Sequence, residues 1–124
     1  MMNELRDGDI DELLSAWEET YKKGQLTLWI FLALKAGEKY VDEIRAFVAE
    51  RSQATMYCEE QSLYRVLRKF EHVHIVTHVL RKGNKGPDRK YYSLTPLGIA
   101  LFDRFVDRNI NLFFQPDIKN ILLS

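Results

Sequence analysis

Apolar residues recur at helical spacing in five stretches of the chain and alternate with polar ones in a sixth. Ile10, Leu13, Leu14 and Trp17 mark one face of a helix from about Asp9 to Lys23. Acidic residues crowd its start and Lys22-Lys23 its end, which suits the helix dipole, and Gly24 breaks it. From Leu26 to Lys35 the pattern is apolar almost all round, the mark of a helix buried on both sides, and Gly37 stops it. A third helix is predicted from Val41 to about Arg51, with Val41, Ile44, Phe47 and Val48 inward, followed by a loop over Ser52 to Tyr57. The fourth runs from about Glu60 to Glu71 on a stripe of Leu63, Val66, Leu67 and Phe70.

After that helix the period changes to two. Ile75 to Leu80 alternates and is rich in β-branched residues, and Tyr91 to Leu94 is expected to return antiparallel to it across a glycine-rich turn. Thr95-Pro96 then opens a helix, threonine as N-cap and proline at the first helical position, reaching about Asn111. Pro116 breaks the chain before a last apolar turn. The order predicts a mainly α (α+β) fold, a winged helix-turn-helix with a two-stranded β-hairpin wing and extra N- and C-terminal helices. No linker or repeat divides it. One domain is expected, comprising an N-terminal helix (1–24), a winged-helix core (26–94) and a C-terminal dimerisation helix with its tail (95–124).

Net charge is zero, and the distribution matters more than the total. Residues 1–60 hold 7 Lys/Arg against 13 Asp/Glu, whereas residues 61–92 hold 8 against 2 and residues 93–124 balance at 3 against 3. A local field, not net charge, steers a polyanion, so the middle of the chain reads as a basic module on an acidic protein. The apolar run Leu28 to Leu34 is too short to span a bilayer, no signal-peptide pattern is visible, and Cys58 is alone, so a cytoplasmic protein without membrane contact is expected.

Candidate chemistry follows the basic module. On the fourth helix Gln61, Arg65 and Arg68 share the face opposite the apolar stripe, flanked by Ser62, Tyr64 and Lys69. Arginine reads guanine edges in the major groove, so these six are the expected recognition-helix contacts; as a plain solvated face they would need no partner. Tyr64 fits either the sugar-phosphate backbone or the helix-turn-helix core. Lys82, Lys85, Arg89 and Lys90, opposed only by Asp88, form a wing suited to phosphate or the minor groove. His72, His74 and His78 share one parity, but His72 belongs to a helix end, Glu71 is expected to point elsewhere, and nothing completes a tetrahedron, so no metal or other cofactor is expected. Glutamates around Cys58 are expected to raise its pKa and keep it unreactive. No catalytic constellation is visible, and an enzyme is not the reading.

Two motifs carry a family resemblance. Ser62-Leu63-Tyr64-Arg65-Val66-Leu67-Arg68-Lys69-Phe70 resembles the recognition-helix signature of the PadR transcriptional regulators, and Arg89-Lys90-Tyr91-Tyr92-Ser93-Leu94-Thr95-Pro96-Leu97-Gly98 resembles their wing-to-helix signature. The likeness covers roughly residues 26–105. It implies a cytoplasmic, dimeric repressor with a C-terminal dimerisation helix. Segments 17–24 and 113–116 are similar to those of a circadian-clock-associated member of that family. Three positions depart from the pattern: Tyr40-Val41-Asp42 replaces His-Gly-Tyr, Glu59-Glu60-Gln61 replaces Ser-Pro-Gly, and His74 stands where a glycine ends the recognition helix.

These readings converge on a sequence-specific, double-stranded-DNA-binding repressor acting as a homodimer. Trp17, Leu101, Phe102, Phe105, Val106 and Phe113 are the expected dimer face, because the apolar stripe after Pro96 is too wide for one winged-helix core. The aromatic excess in the terminal helices is mostly core and interface; it also suits a flat hydrophobic effector, as some compact members of the family bind. The rival reading is a winged-helix protein-interaction module whose basic hairpin meets an acidic partner, and the Glu59-Glu60 pair favours it.

Overall fold

The computed structural model describes residues 7–124. In chain order it holds α1 (Asp7–Tyr21), α2 (Gln25–Ala36), α3 (Val41–Arg51), α4 (Glu60–His72), β1 (Val76–Arg81), β2 (Arg89–Leu94), α5 (Pro96–Asn109), a 3₁₀ turn (Asn111–Phe114) and α6 (Pro116–Leu122). This is the winged helix-turn-helix that the periodicities predict, with no boundary moved by more than two residues; β2 starts at Arg89 rather than Tyr91, and α5 ends at Asn109 rather than Asn111.

Local chemistry accounts for each stop. Gly24 sits at φ 81, the left-handed region that a side chain disfavours, and there α1 gives way to α2. Gly37 closes α2 at φ 154 and ψ 163, a region open in practice only to glycine, while Lys39 Nζ donates to the α2 carbonyl of Ala33 at 2.7 Å. The loop after α3 turns through left-handed Gln53 and Ala54. It is held by buried Ser52, whose Oγ accepts the Met56 N–H at 3.0 Å and donates to the Met56 carbonyl at 3.2 Å. His74 ends α4 at φ 65, doing in left-handed backbone what glycine does at lower cost.

Ile30, Ala33 and Leu34 of α2 meet Val41, Ile44 and Val48 of α3, Leu63 and Leu67 of α4, and Val76 and Tyr92 of the sheet in one core. Phe31 lies between Phe70 of α4 and Phe102 of α5, with ring centroids 5.7 and 5.4 Å away. Phe102, expected at a dimer face, is thus a core residue of the protomer, 5% exposed; Val106 also packs against the core. The two strands pair antiparallel from Val76↔Leu94 to Arg81↔Arg89. Lys39 adds a third, one-residue strand beside β2: the Tyr92 N–H donates to the Lys39 carbonyl at 2.8 Å and the Lys39 N–H returns to the Tyr92 carbonyl at 3.1 Å.

Outside that core the apolar surface is bare. Ile10, Leu13, Leu14 and Trp17 of α1 are all exposed, Trp17 at 73%. Leu101 and Phe105 on α5, Phe113 and Phe114 in the 3₁₀ turn, and Ile118, Ile121 and Leu122 on α6 are exposed as well.

Candidate nucleic-acid interface

Helix α4 turns Leu63 and Leu67 fully inward, which fixes what faces out: Gln61, Tyr64, Arg65, Arg68 and Lys69 are exposed, while Ser62 is half-buried. Five of the six residues named on this helix therefore lie on an open face. Tyr64 turns toward the wing, bordering a cleft of about 690 Å³ with Tyr40, Asp42, Glu60, Lys85, Asp88, Arg89 and Lys90. Glu59 caps α4 in extended backbone without a side-chain capping bond.

Lys82, Lys85, Arg89 and Lys90 all belong to the hairpin, and Lys85, Arg89 and Lys90 border that cleft. They are not equivalent. Lys82 and Lys85 lie in the turn, but Arg89 and Lys90 belong to β2, opposite Arg81 and Leu80. The Arg89 guanidinium rests on the ring of Tyr40 at 4.5 Å, and Arg81 rests on Tyr91 at 5.1 Å. Tyr40 and Tyr91 meet edge to face at 5.4 Å, and Arg81 is also paired with Glu38. Each arginine is thereby held over an aromatic face while its side chain remains exposed. Sequence reasoning missed this brace because Tyr40 and Glu38 precede the recognition helix. The signal was a tyrosine standing where the family pattern has a histidine.

Glu71 does not point away from the histidines: its Oε2 lies 2.7 Å from His78 Nδ1. His74 forms the turn after α4, and among the described residues no group of three or more His, Cys, Asp or Glu could hold a metal ion. Burial pushes the Cys58 thiol up, with Arg45 opposing; the cause is desolvation rather than the neighbouring glutamates. Arg45 Nε also donates to the Cys58 carbonyl at 3.0 Å. A separate apolar cavity, about 210 Å³, opens between α2 and α5, lined by Thr27, Leu28, Phe31, Leu101, Phe102 and Phe105. No described helix is long and apolar enough to cross a membrane.

The model of the transcriptional regulator PadR-like family matches residues 30–104, from the middle of α2 to α5. The chain belongs to that family. No curated protein matches the sequence. Among solved structures, a PadR-like transcriptional regulator from Bacillus cereus is 22% identical over 85% of this chain and 98% of its own, with a TM-score of 0.67. Bacillus subtilis PadR, solved in complex with operator DNA, is 19% identical over 67% of this chain and 46% of its own, with a TM-score of 0.61. The circadian clock associated protein Pex from Anabaena is 21% identical over 69% of this chain and 75% of its own, with a TM-score of 0.55. At these identities the likeness is one of fold, and it agrees with the PadR-like winged helix built above.

Proposed function

We propose that this chain is a cytoplasmic, sequence-specific double-stranded-DNA-binding repressor that acts as a homodimer. The observation that carries the proposal is the open Gln61/Arg65/Arg68 face of α4 standing beside a cationic wing, on a fold whose Bacillus subtilis relative was solved on operator DNA. In this reading α4 enters the major groove with Gln61, Arg65 and Arg68 toward base edges, while Tyr64, Lys69 and the wing hold phosphates. The bare apolar residues of α1, α5 and the tail supply the dimer contact, and a two-fold axis there presents two recognition helices to successive half-sites. The α2–α5 cavity is the place for a small hydrophobic effector, with room for a single ring system. The resemblance of segments 17–24 and 113–116 carries a clock-associated role, whose test is the free-running period of a host strain lacking the protein.

Fluorescence anisotropy on genomic fragments, with competitor DNA and a salt series, tests the central claim. Six to ten phosphate contacts predict a loss of about 10³–10⁵ in affinity between 50 and 200 mM salt, with sequence preference retained. Binding that is absent, or indifferent to sequence, refutes it. The second reading, a protein-interaction module, draws on Asp42 and Glu60, whose carboxylates line the same cleft as Lys85 and Lys90. If it is correct, Lys85→Ala with Lys90→Ala abolishes capture of an acidic partner, and the unaltered chain shows no sequence-selective DNA binding.

A further inference from the structure

Glu71, in the last turn of α4, and His78, in β1, join the recognition helix directly to the strand that leads into the wing. His78 Nδ1 and Glu71 Oε2 are 2.7 Å apart, and each side chain is roughly three-quarters buried, at 27% and 26% exposure. The imidazole lies against the ring of Tyr92 on β2, centroids 5.6 Å apart. Tyr92 is 1% exposed and anchored to Lys39 by its two backbone hydrogen bonds, so the histidine is clamped between a helix and a fixed ring. Nothing in the family match or the proposed DNA contacts uses this pair.

We propose that the Glu71–His78 bridge is a positioning strut that sets the wing against the recognition helix. The inference rests on the DNA-binding reading above. The wing and α4 must meet one duplex together, and phosphates lie at fixed spacing. A hairpin free to swing loses affinity to the entropy of ordering it. With its proton on Nδ1 the imidazole donates to the Glu71 carboxylate, and that one bond closes the end of α4 onto β1. Glu71, Tyr64 and Arg68 of α4 all act on the buried Tyr92 ring against which His78 packs. Lys90, two residues before Tyr92 on β2, shares the sheet face of His78.

Two variants separate positioning from mere folding. His78→Asn keeps an N–H donor for Glu71, and His78→Phe removes the donor while still filling the space beside Tyr92. Two measurements are needed on the full chain at a single pH. Hydrogen exchange in residues 76–94 reads the hairpin without DNA, and anisotropy reads duplex affinity. Wild type and His78→Asn are expected to protect the hairpin alike, and His78→Phe to protect it less. In duplex affinity Asn should stay within about twofold of wild type while Phe is weaker by about three- to tenfold. If hairpin exchange is the same in wild type and both variants, there is no strut. If exchange responds but duplex affinity does not, the strut exists without positioning anything for DNA. Wild type that binds no duplex refutes the DNA-binding reading, and the positioning role goes with it.

Discussion

Gly98 sits where α5 crosses the corner between α4 and β1, and replacing it with alanine tests how tightly that corner is closed. A Cβ built on Gly98 would lie 2.1 Å from the carbonyl oxygen of Ile75 and 3.0 Å from its carbonyl carbon. Both obstacles are backbone, so no side chain can step aside. Reaching an ordinary contact of 3.4 Å requires a shift of about 1.3 Å between α5 and the corner. Two hydrogen bonds from the helix cap to the corner resist it: the Thr95 N–H to the Ile75 carbonyl at 3.1 Å and the Thr95 hydroxyl to the His74 carbonyl at 2.6 Å. Overpacking of a fixed backbone costs about 1–3 kcal/mol and a stretched hydrogen bond about another 1 kcal/mol. Alanine's better helix propensity returns at most about 1 kcal/mol. The net expectation is a loss of about 1–3 kcal/mol, equivalent to a fall in Tm of roughly 4–12 °C at this chain length. Urea unfolding followed by circular dichroism measures it. A Gly98→Ala protein as stable as the parent, or more so, as propensity alone dictates, would mean that α5 does not approach Ile75 this closely and that the corner is not rigid.

Other expectations follow from the same geometry. Lys82→Ala with Lys85→Ala should weaken binding to all duplexes alike and flatten the salt dependence by about one log–log unit for each phosphate no longer neutralised; an unchanged slope would place the wing away from DNA. Arg65→Ala and Arg68→Ala should each cost about 1–3 kcal/mol of specific binding while sparing non-specific binding, and operator preference equal to the parent's in both variants would remove α4 from the groove. Sedimentation velocity at micromolar concentration should show a dimer that Phe105→Glu converts to monomer, since Phe105 is exposed on α5 beside Leu101; a parent that sediments as a monomer overturns the dimer. Burial pushes the Tyr92 phenol from 10.0 up to about 12, with Glu71 and Tyr64 adding to the effect. Between those values the unfolded chain has released a proton that the folded chain keeps. Stability is therefore intact below about pH 10 and lost as pH rises toward 12, by on the order of 2–3 kcal/mol relative to Tyr92→Phe in parallel melts.

Helices α3 and α4 were legible because each buries one stripe and exposes the other, and that pattern is local: Leu63 and Leu67 inward already place Arg65 and Arg68 outward. The N-cap of α5 was legible for the same reason, since Thr95, Pro96 and Gly98 act within one helical turn. The family motifs located the wing but not its length, because Arg89 and Lys90 are poor strand formers that enter β2 through pairing with Arg81 and Leu80. Phe102 could not be assigned from sequence. Helix α5 carries apolar residues around much of its circumference, and only the position of Phe31 decides which of them face the protomer's own core.

What stayed hidden has one physical character: polar groups joined across turns and long sequence separations. Tyr40 under Arg89, Glu38 on Arg81 and Lys39 beside Tyr92 all bring the α2–α3 junction against the hairpin from some forty to fifty residues away. Glu71 and His78 are close in sequence, yet their pairing depends on the left-handed turn at His74 folding β1 back along α4. None of these contacts leaves a periodic trace, because a charged side chain at a brace and one in solvent have the same hydropathy. Their consequence for function is nevertheless direct. The arginines of the wing are held over tyrosines, and the strand that leads into the wing is held to α4. The cationic surface offered to a duplex is therefore preorganised, and less of its binding free energy is lost to ordering flexible side chains than in an unbraced hairpin of the same charge.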